Sequence, residues 1–97
     1  MTIFNVVKEQ NWEKLNLYVP VVARVHGGSH PEFLEVKRLF DRLRSKVEAA
    51  GAGKPDLQDE FQELRRITND YTVPEDVCES YEAVYRMLAE LDQAYYG

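Results

Sequence analysis

The sequence predicts an all-α chain folded as an antiparallel up-down-up-down four-helix bundle. Apolar residues recur at steps of three, four and seven along four separate segments. Glycine and proline clusters or helix-start signatures divide the segments, and no stretch alternates apolar with polar residues at strand period. Four amphipathic helices with short connections bury their stripes most simply against one another, each antiparallel to the next.

The first segment, Ile3 to Val25, carries Phe4, Val7, Leu15, Tyr18, Val22 and Val25 on one stripe. Asn11 interrupts it, with Trp12 beside it to take over that turn. Pro20 removes a helical hydrogen bond and clashes with the carbonyl four residues back, so a kink is expected near Asn16–Pro20. The periodicity resumes in register, which favours one bent helix over two. Gly27-Gly28 then ends it, with one of the pair expected in the left-handed conformation beyond the last turn.

Ser29-His30-Pro31-Glu32 fits the S-x-x-E capping box, with proline tolerated in the first turn. The second helix is expected to reach about Ala50, with Val36, Leu39, Phe40, Leu43, Val47 and Ala50 inward, and Gly51-Ala52-Gly53 stops it. Pro55 opens a short third segment with Leu57, Phe61, Leu64 and Ile67 as its stripe, ending near Thr68-Asn69-Asp70. Thr72-Val73-Pro74-Glu75 reads as a second capping box. Val77, Tyr81, Val84, Leu88, Leu91 and Tyr95 carry the last helix almost to the end.

Ninety-seven residues make a single domain, 1–97, with room for one core but not for a deep cleft plus a cofactor domain. Seventeen acidic residues against 12 basic give a net charge of −5, which argues against nucleic acid and anionic membranes as partners. The single cysteine, Cys78, excludes an internal disulfide and fits a reducing compartment. The start, M-T-I-F-N-V-V-K-E-Q, lacks the features of a signal peptide, and no run approaches the ~20 apolar residues that span a bilayer. The expected location is cytoplasmic.

Motifs that carry chemistry are mostly absent from the sequence. There is no G-x-G-x-x-G, P-loop, G-x-S-x-G or H-E-x-x-H, and neither E-x-x-H nor H-x-x-x-E of a di-iron bundle occurs. His26 and His30 are four apart, but two glycines and a helix start intervene, so they are expected on different faces, exposed to solvent. Cys78, in the first turn of the last helix with no histidine near it in sequence, reads as a small buried hydrophobe. Glu60, Glu63, Glu75 and Asp76 lie off the apolar stripes and read as solvated surface. No catalytic residue emerges, and the chain is not expected to be an enzyme.

Two blocks carry a resemblance. V-A-R-V-H-G-G-S-H-P-E-F-L-E-V, Val22 to Val36, closely resembles the block V-x-R-V-H-G-x-x-H-P-E-L at the second-helix entry of the hemerythrin-like domain in the iron-sulfur cluster repair di-iron proteins. L-R-R-I-T-N-D-Y-T-V-P-E-D-V-C-E-S-Y-E-A-V-Y, Leu64 to Tyr85, resembles the turn into the last helix of that family, with its T-N-x-Y-T-x-P-E-x-A-C pattern. The resemblance implies a cytoplasmic hemerythrin-like bundle and a link to repair of iron-sulfur centres under oxidative or nitrosative stress. It does not carry the irons across. The ligand positions of the family fall near Asn5, at Ala50 (where A-G-A-G-K-P stands), near Lys54 and just past Gly97, and none of these matches. His26 and His30 match histidines of the retained turn, not of the family's di-iron set.

The expected molecule is therefore a hemerythrin-like bundle shortened at its metal-bearing end and acting as a non-catalytic interaction module without a cofactor. Ile3, Phe4, Val6, Tyr95 and Tyr96 are the candidate interface residues, covered by a protein partner or by self-association as a homodimer. The alternative is an accessory protein of iron-sulfur repair that binds iron through His26, His30 and carboxylates.

Overall fold

The computed structural model describes residues 3–51, 53 and 55–96. Among them are four α-helices and no strand: α1 (Ile3–His26), α2 (Glu32–Ala50), α3 (Gln58–Ile67) and α4 (Glu79–Tyr96). Ala52 of the expected stop, Lys54 and Gly97 lie outside the described residues.

Helix α1 sets the length of the molecule. Its 24 residues make a rod of about 36 Å at 1.5 Å per residue, close to the 38 Å long axis. It runs unbroken through Pro20. That proline is exposed, so water is available to the Asn16 carbonyl that loses its helical donor. Phe4 meets Tyr95 edge-on at 5.6 Å, Asn11 Nδ2 donates to Glu90 at 3.1 Å, and His26 reaches Cys78. The start of α1 thus lies beside the end of α4, and its end beside the start of α4. Trp12 packs on Phe40 and Arg44 donates to Asn16, which lays α2 along α1. Lys46 bonds Glu60 of α3, and Phe33 packs tilted against Tyr81 and parallel to Tyr85 of α4.

The inward face of α1 differs from the expected stripe. Leu15, Val19, Val22 and Ala23 are buried with Phe4, whereas Val25 is 66% exposed. The stripes of α2, α3 and α4 are buried as expected from Val36 to Val47, from Leu57 to Leu64 and from Tyr81 to Tyr95. Ala50 and Ile67 are only half-buried at the ends of their helices.

The connections depart most from expectation. Neither Gly27 nor Gly28 is left-handed; among the described glycines only Gly51 has positive φ (58°). Gly27 is needed for space. A Cβ there would press on the Ala23 carbonyl and sit 2.8 Å from Leu34 Cδ2, because α1 and α2 approach closely at this turn. The Ser29 capping box does not form either. The Ser29 and His30 amides both turn back to the His26 carbonyl, Pro31 takes the N-cap position without a side-chain bond, and the Glu32 carboxylate faces His30 and Tyr81.

The second expected box, at Thr72, is also absent. Thr72 Oγ1 donates to the Asn69 carbonyl at 2.6 Å, residues 75–76 form a turn, and α4 begins at Glu79. Because α3 has only 10 residues, or about 15 Å, residues 68–78 finish its row. They lay Tyr71, Val73 and Val77 against the core.

This strap contains Asn69, Asp70 and Tyr71, all left-handed with φ of 51°, 58° and 61°. Tyr71 bears a cost of roughly 1–2 kcal/mol there, whereas Asn69 and Asp70 visit this region more readily. Backbone and side chains hold the turn. The Asp70 amide donates to the Arg65 carbonyl, the Thr72 amide to the Thr68 carbonyl and the Tyr71 amide to Thr68 Oγ1. The Tyr71 hydroxyl donates to Asp92 Oδ2 at 2.7 Å, and Arg65 grips the same buried carboxylate through two bonds of 2.8 and 2.7 Å. That bidentate bond holds the Arg65 guanidinium above its ordinary range, and burial, with the Asp92 bond, pushes the Tyr71 hydroxyl up.

Glu60 is a further correction. Expected on the surface, it is 1% exposed. Lys46 Nζ lies 3.0 Å from Oε1 and Arg42 Nη2 3.3 Å from Oε2, so two cations of α2 compensate the buried charge.

Candidate functional site

The corner where α1 ends and α2 and α4 begin gathers the titratable side chains that sequence spacing kept apart. His26 and His30 do not occupy separate faces. Their ring centroids are 6.4 Å apart, and both meet the Tyr81 ring edge-on, at 5.5 and 5.6 Å. The reason is the non-helical turn between them: the His30 amide folds back to the His26 carbonyl at 2.7 Å, which returns the chain over the end of α1. Both histidines are half-buried rather than exposed.

His30 is flanked by two carboxylates. Glu32 Oε1 lies 3.0 Å from Nδ1 in a hydrogen bond, and Asp76 Oδ1 lies 3.1 Å from the buried Nε2, out of hydrogen-bonding alignment. A chain of bonds leads inward from there. The Tyr81 hydroxyl donates to Glu32 at 3.3 Å and shares a bond of 3.1 Å with the Tyr85 hydroxyl. Burial pushes both tyrosines up. For Tyr81 the bond to Tyr85 adds to this, whereas the same bond works the other way on Tyr85.

Cys78 is exposed, not the buried hydrophobe that composition suggested. It precedes the first residue of α4, and its carbonyl accepts the Glu82 amide, while its side chain faces α1. There its Sγ lies 3.1 Å from His26 Nε2. The pair is 52 residues apart in sequence, so no local spacing could have revealed it.

The donor set does not suit a metal. Among the described residues no three His, Cys, Asp or Glu side chains converge as an ion requires. His26 Nε2 faces a thiol, and both nitrogens of His30 face carboxylates that already diverge to opposite sides of its ring.

At the opposite end, Phe4 and Tyr95 are buried against one another, and the Tyr95 hydroxyl donates to the Pro55 carbonyl while accepting the Leu57 amide. Tyr95 therefore ties the entry of α3 to the end of α4. Ile3, Val6 and Tyr96 remain exposed there, and Tyr96 lies under the Arg65 guanidinium at 4.9 Å. Helix α1 carries further exposed apolar side chains. At 100° per residue, Ile3, Val6, Leu17, Val21 and Val25 fall within a face about 100° wide, turned away from the core, which they share with Gln10, Lys14 and Arg24. All five are exposed, Leu17 at 62% and Ile3 at 64%, and Leu34 adjoins the Val25 end across Gly27. The i, i+4, i+8 spacing of Leu17, Val21 and Val25 was visible in the sequence as a second stripe.

No protein-family model matches the chain, and no solved structure matches it significantly.

Proposed function

We propose that this chain is a hemerythrin-like bundle of up-down-up-down topology that serves as a non-catalytic interaction module, associated with repair of iron-sulfur centres or with oxidative and nitrosative stress. The end-to-end pairings of α1 with α4 and of α1 with α2 support the topology. The two sequence blocks, Val22–Val36 and Leu64–Tyr85, support the kinship. They form the turns at His26–Glu32 and Thr68–Cys78, next to one another at one end of the molecule.

One observation carries the functional reading: α1 exposes apolar side chains on its outward face, Ile3 and Val6 in one patch and Leu17, Val21 and Val25 in another, with Gln10 and Lys14 between them. Exposed apolar side chains grouped in this way mark an interaction surface. Self-association through the outward face of α1, with Ile3 and Val6 at one end and Val25 and Leu34 at the other, removes these side chains from water in a single step; Tyr96 lies apart from this face, against Phe61 and Arg65 of α3. A twofold pairing of this face is self-complementary, since it brings each copy's stripe onto the other's. Sedimentation equilibrium of the full chain tests it: a concentration-dependent dimer supports the reading, and a monomer throughout the accessible range removes it.

The second reading, an iron-binding accessory, draws on the meeting of His26, His30, Glu32 and Asp76 at one corner. It requires side chains to rearrange, since no three of these donors converge among the described residues. Anaerobic titration with ferrous iron separates the two readings. Stoichiometric uptake abolished by His26→Ala supports the accessory, and no uptake excludes it.

A further inference from the structure

We propose that Cys78 and His26 form a nucleophilic thiol site that undergoes thiol–disulfide exchange with small cationic disulfides. Three features combine at the sulfur. It is exposed, so a substrate reaches it without opening the fold. A ring nitrogen of another element lies 3.1 Å away, supplying a base within reach of the thiol proton. The base is held in place: its ring rests edge-on against the buried Tyr81, and its backbone carbonyl is fixed by two amides of the following turn.

The step balances without an added oxidant. With His26 in the tautomer that leaves Nε2 unprotonated, Nε2 takes the thiol proton as Sγ attacks one sulfur of the disulfide. The new Sγ–S bond forms, the old S–S bond breaks, and the departing thiolate takes the proton from the imidazolium. The chain has no second cysteine to resolve the adduct, so the mixed disulfide persists until an external thiol attacks it.

Charge selects the substrate. From Thr72 to Glu82 the sequence carries Glu75, Asp76, Glu79 and Glu82 and no lysine or arginine, against one exposed cation near His26 on α1, Arg24. An anionic disulfide is repelled from this turn, whereas an aminothiol disulfide is drawn to it.

The test measures the rate of mixed-disulfide formation by intact-mass spectrometry at pH 7 with cystamine and, separately, with glutathione disulfide. Folded wild type, the same chain in urea, and a folded His26→Gln variant are compared, with Cys78→Ser as the blank. Glutamine keeps a polar group near the sulfur but cannot take its proton. An ordinary thiol is only a few per cent ionised at pH 7, so an effective base is worth about tenfold. The expected result is one adduct, formed about tenfold faster on folded wild type than on His26→Gln or the unfolded chain, with cystamine preferred at low salt. Equal rates for folded wild type and the urea-unfolded chain overturn the site even if His26→Gln fails to fold. Equal or reversed rates for the two disulfides overturn the substrate class.

Discussion

Replacing Tyr71 by phenylalanine isolates the bond that secures the left-handed strap. Phenylalanine keeps the ring against the core and removes only the hydroxyl that donates to Asp92 at 2.7 Å. The carboxylate stays compensated, because both bonds from Arg65 remain. What is lost is one hydrogen bond to a charged acceptor, worth about 2 kcal/mol. The left-handed Tyr71 itself costs about 1–2 kcal/mol, so weakening its anchor also favours local opening of residues 68–72. Urea unfolding followed by circular dichroism reads the global effect. With a slope near 1 kcal/mol/M for a domain this small, the midpoint falls by about 2 M. Hydrogen exchange at the amides of Asp70, Tyr71 and Thr72 reads the local effect, and all three are expected to exchange faster. A midpoint shift below about 0.3 M, the scale at which the bond is worth next to nothing, with unchanged exchange would refute the idea that Asp92 holds the strap in place.

Gly27→Ala is expected to destabilise by about 1–3 kcal/mol, because the added methyl meets the Ala23 carbonyl and Leu34; Gly28→Ala, where nothing lies within 4 Å, serves as the near-neutral control in the same urea series. Alkaline titration of stability tests the buried tyrosines. Tyr71, Tyr81 and Tyr85 are all held above the ordinary tyrosine range, so their contribution is complete below about pH 10 and is lost as pH rises beyond it, by up to about 1.4 kcal/mol per pH unit for each. Tyr81→Phe is expected to make that decline shallower, and a stability flat to pH 11.5 contradicts the burial. Leu17→Glu with Val25→Glu is expected to leave the thermal midpoint within a few degrees, since both side chains are exposed, and to abolish self-association in a sedimentation run; unaltered association would move the interface elsewhere.

Helix number and most core positions were legible because period and punctuation agree: Leu39, Phe40 and Leu43, or Leu88 and Leu91, have no other face to occupy. The caps were not. Ser29 and Thr72 each begin an S/T-x-x-E string, but the string records only local opportunity. Other partners claimed its members first: Glu32 turns to His30 and, across the fold, to Tyr81, and Thr72 bonds back to the Asn69 carbonyl of its own turn. The corner of His26, His30 and Cys78 was half-legible. Both histidines stood out, yet their meeting depends on a turn that folds back on α1, and the pairing with Cys78 depends on where α4 begins. Glu60 and Asp92 were invisible for a related reason. A charged residue off a stripe reads as surface until long cations on neighbouring helices, Lys46 and Arg42 or Arg65, close over it.

The outward face of α1 holds the central claim, and equilibrium sedimentation of the full chain tests it most directly. Pairing through this face is expected to raise the mass toward twice 11.3 kDa as concentration increases. A mass that stays at 11.3 kDa throughout would contradict it.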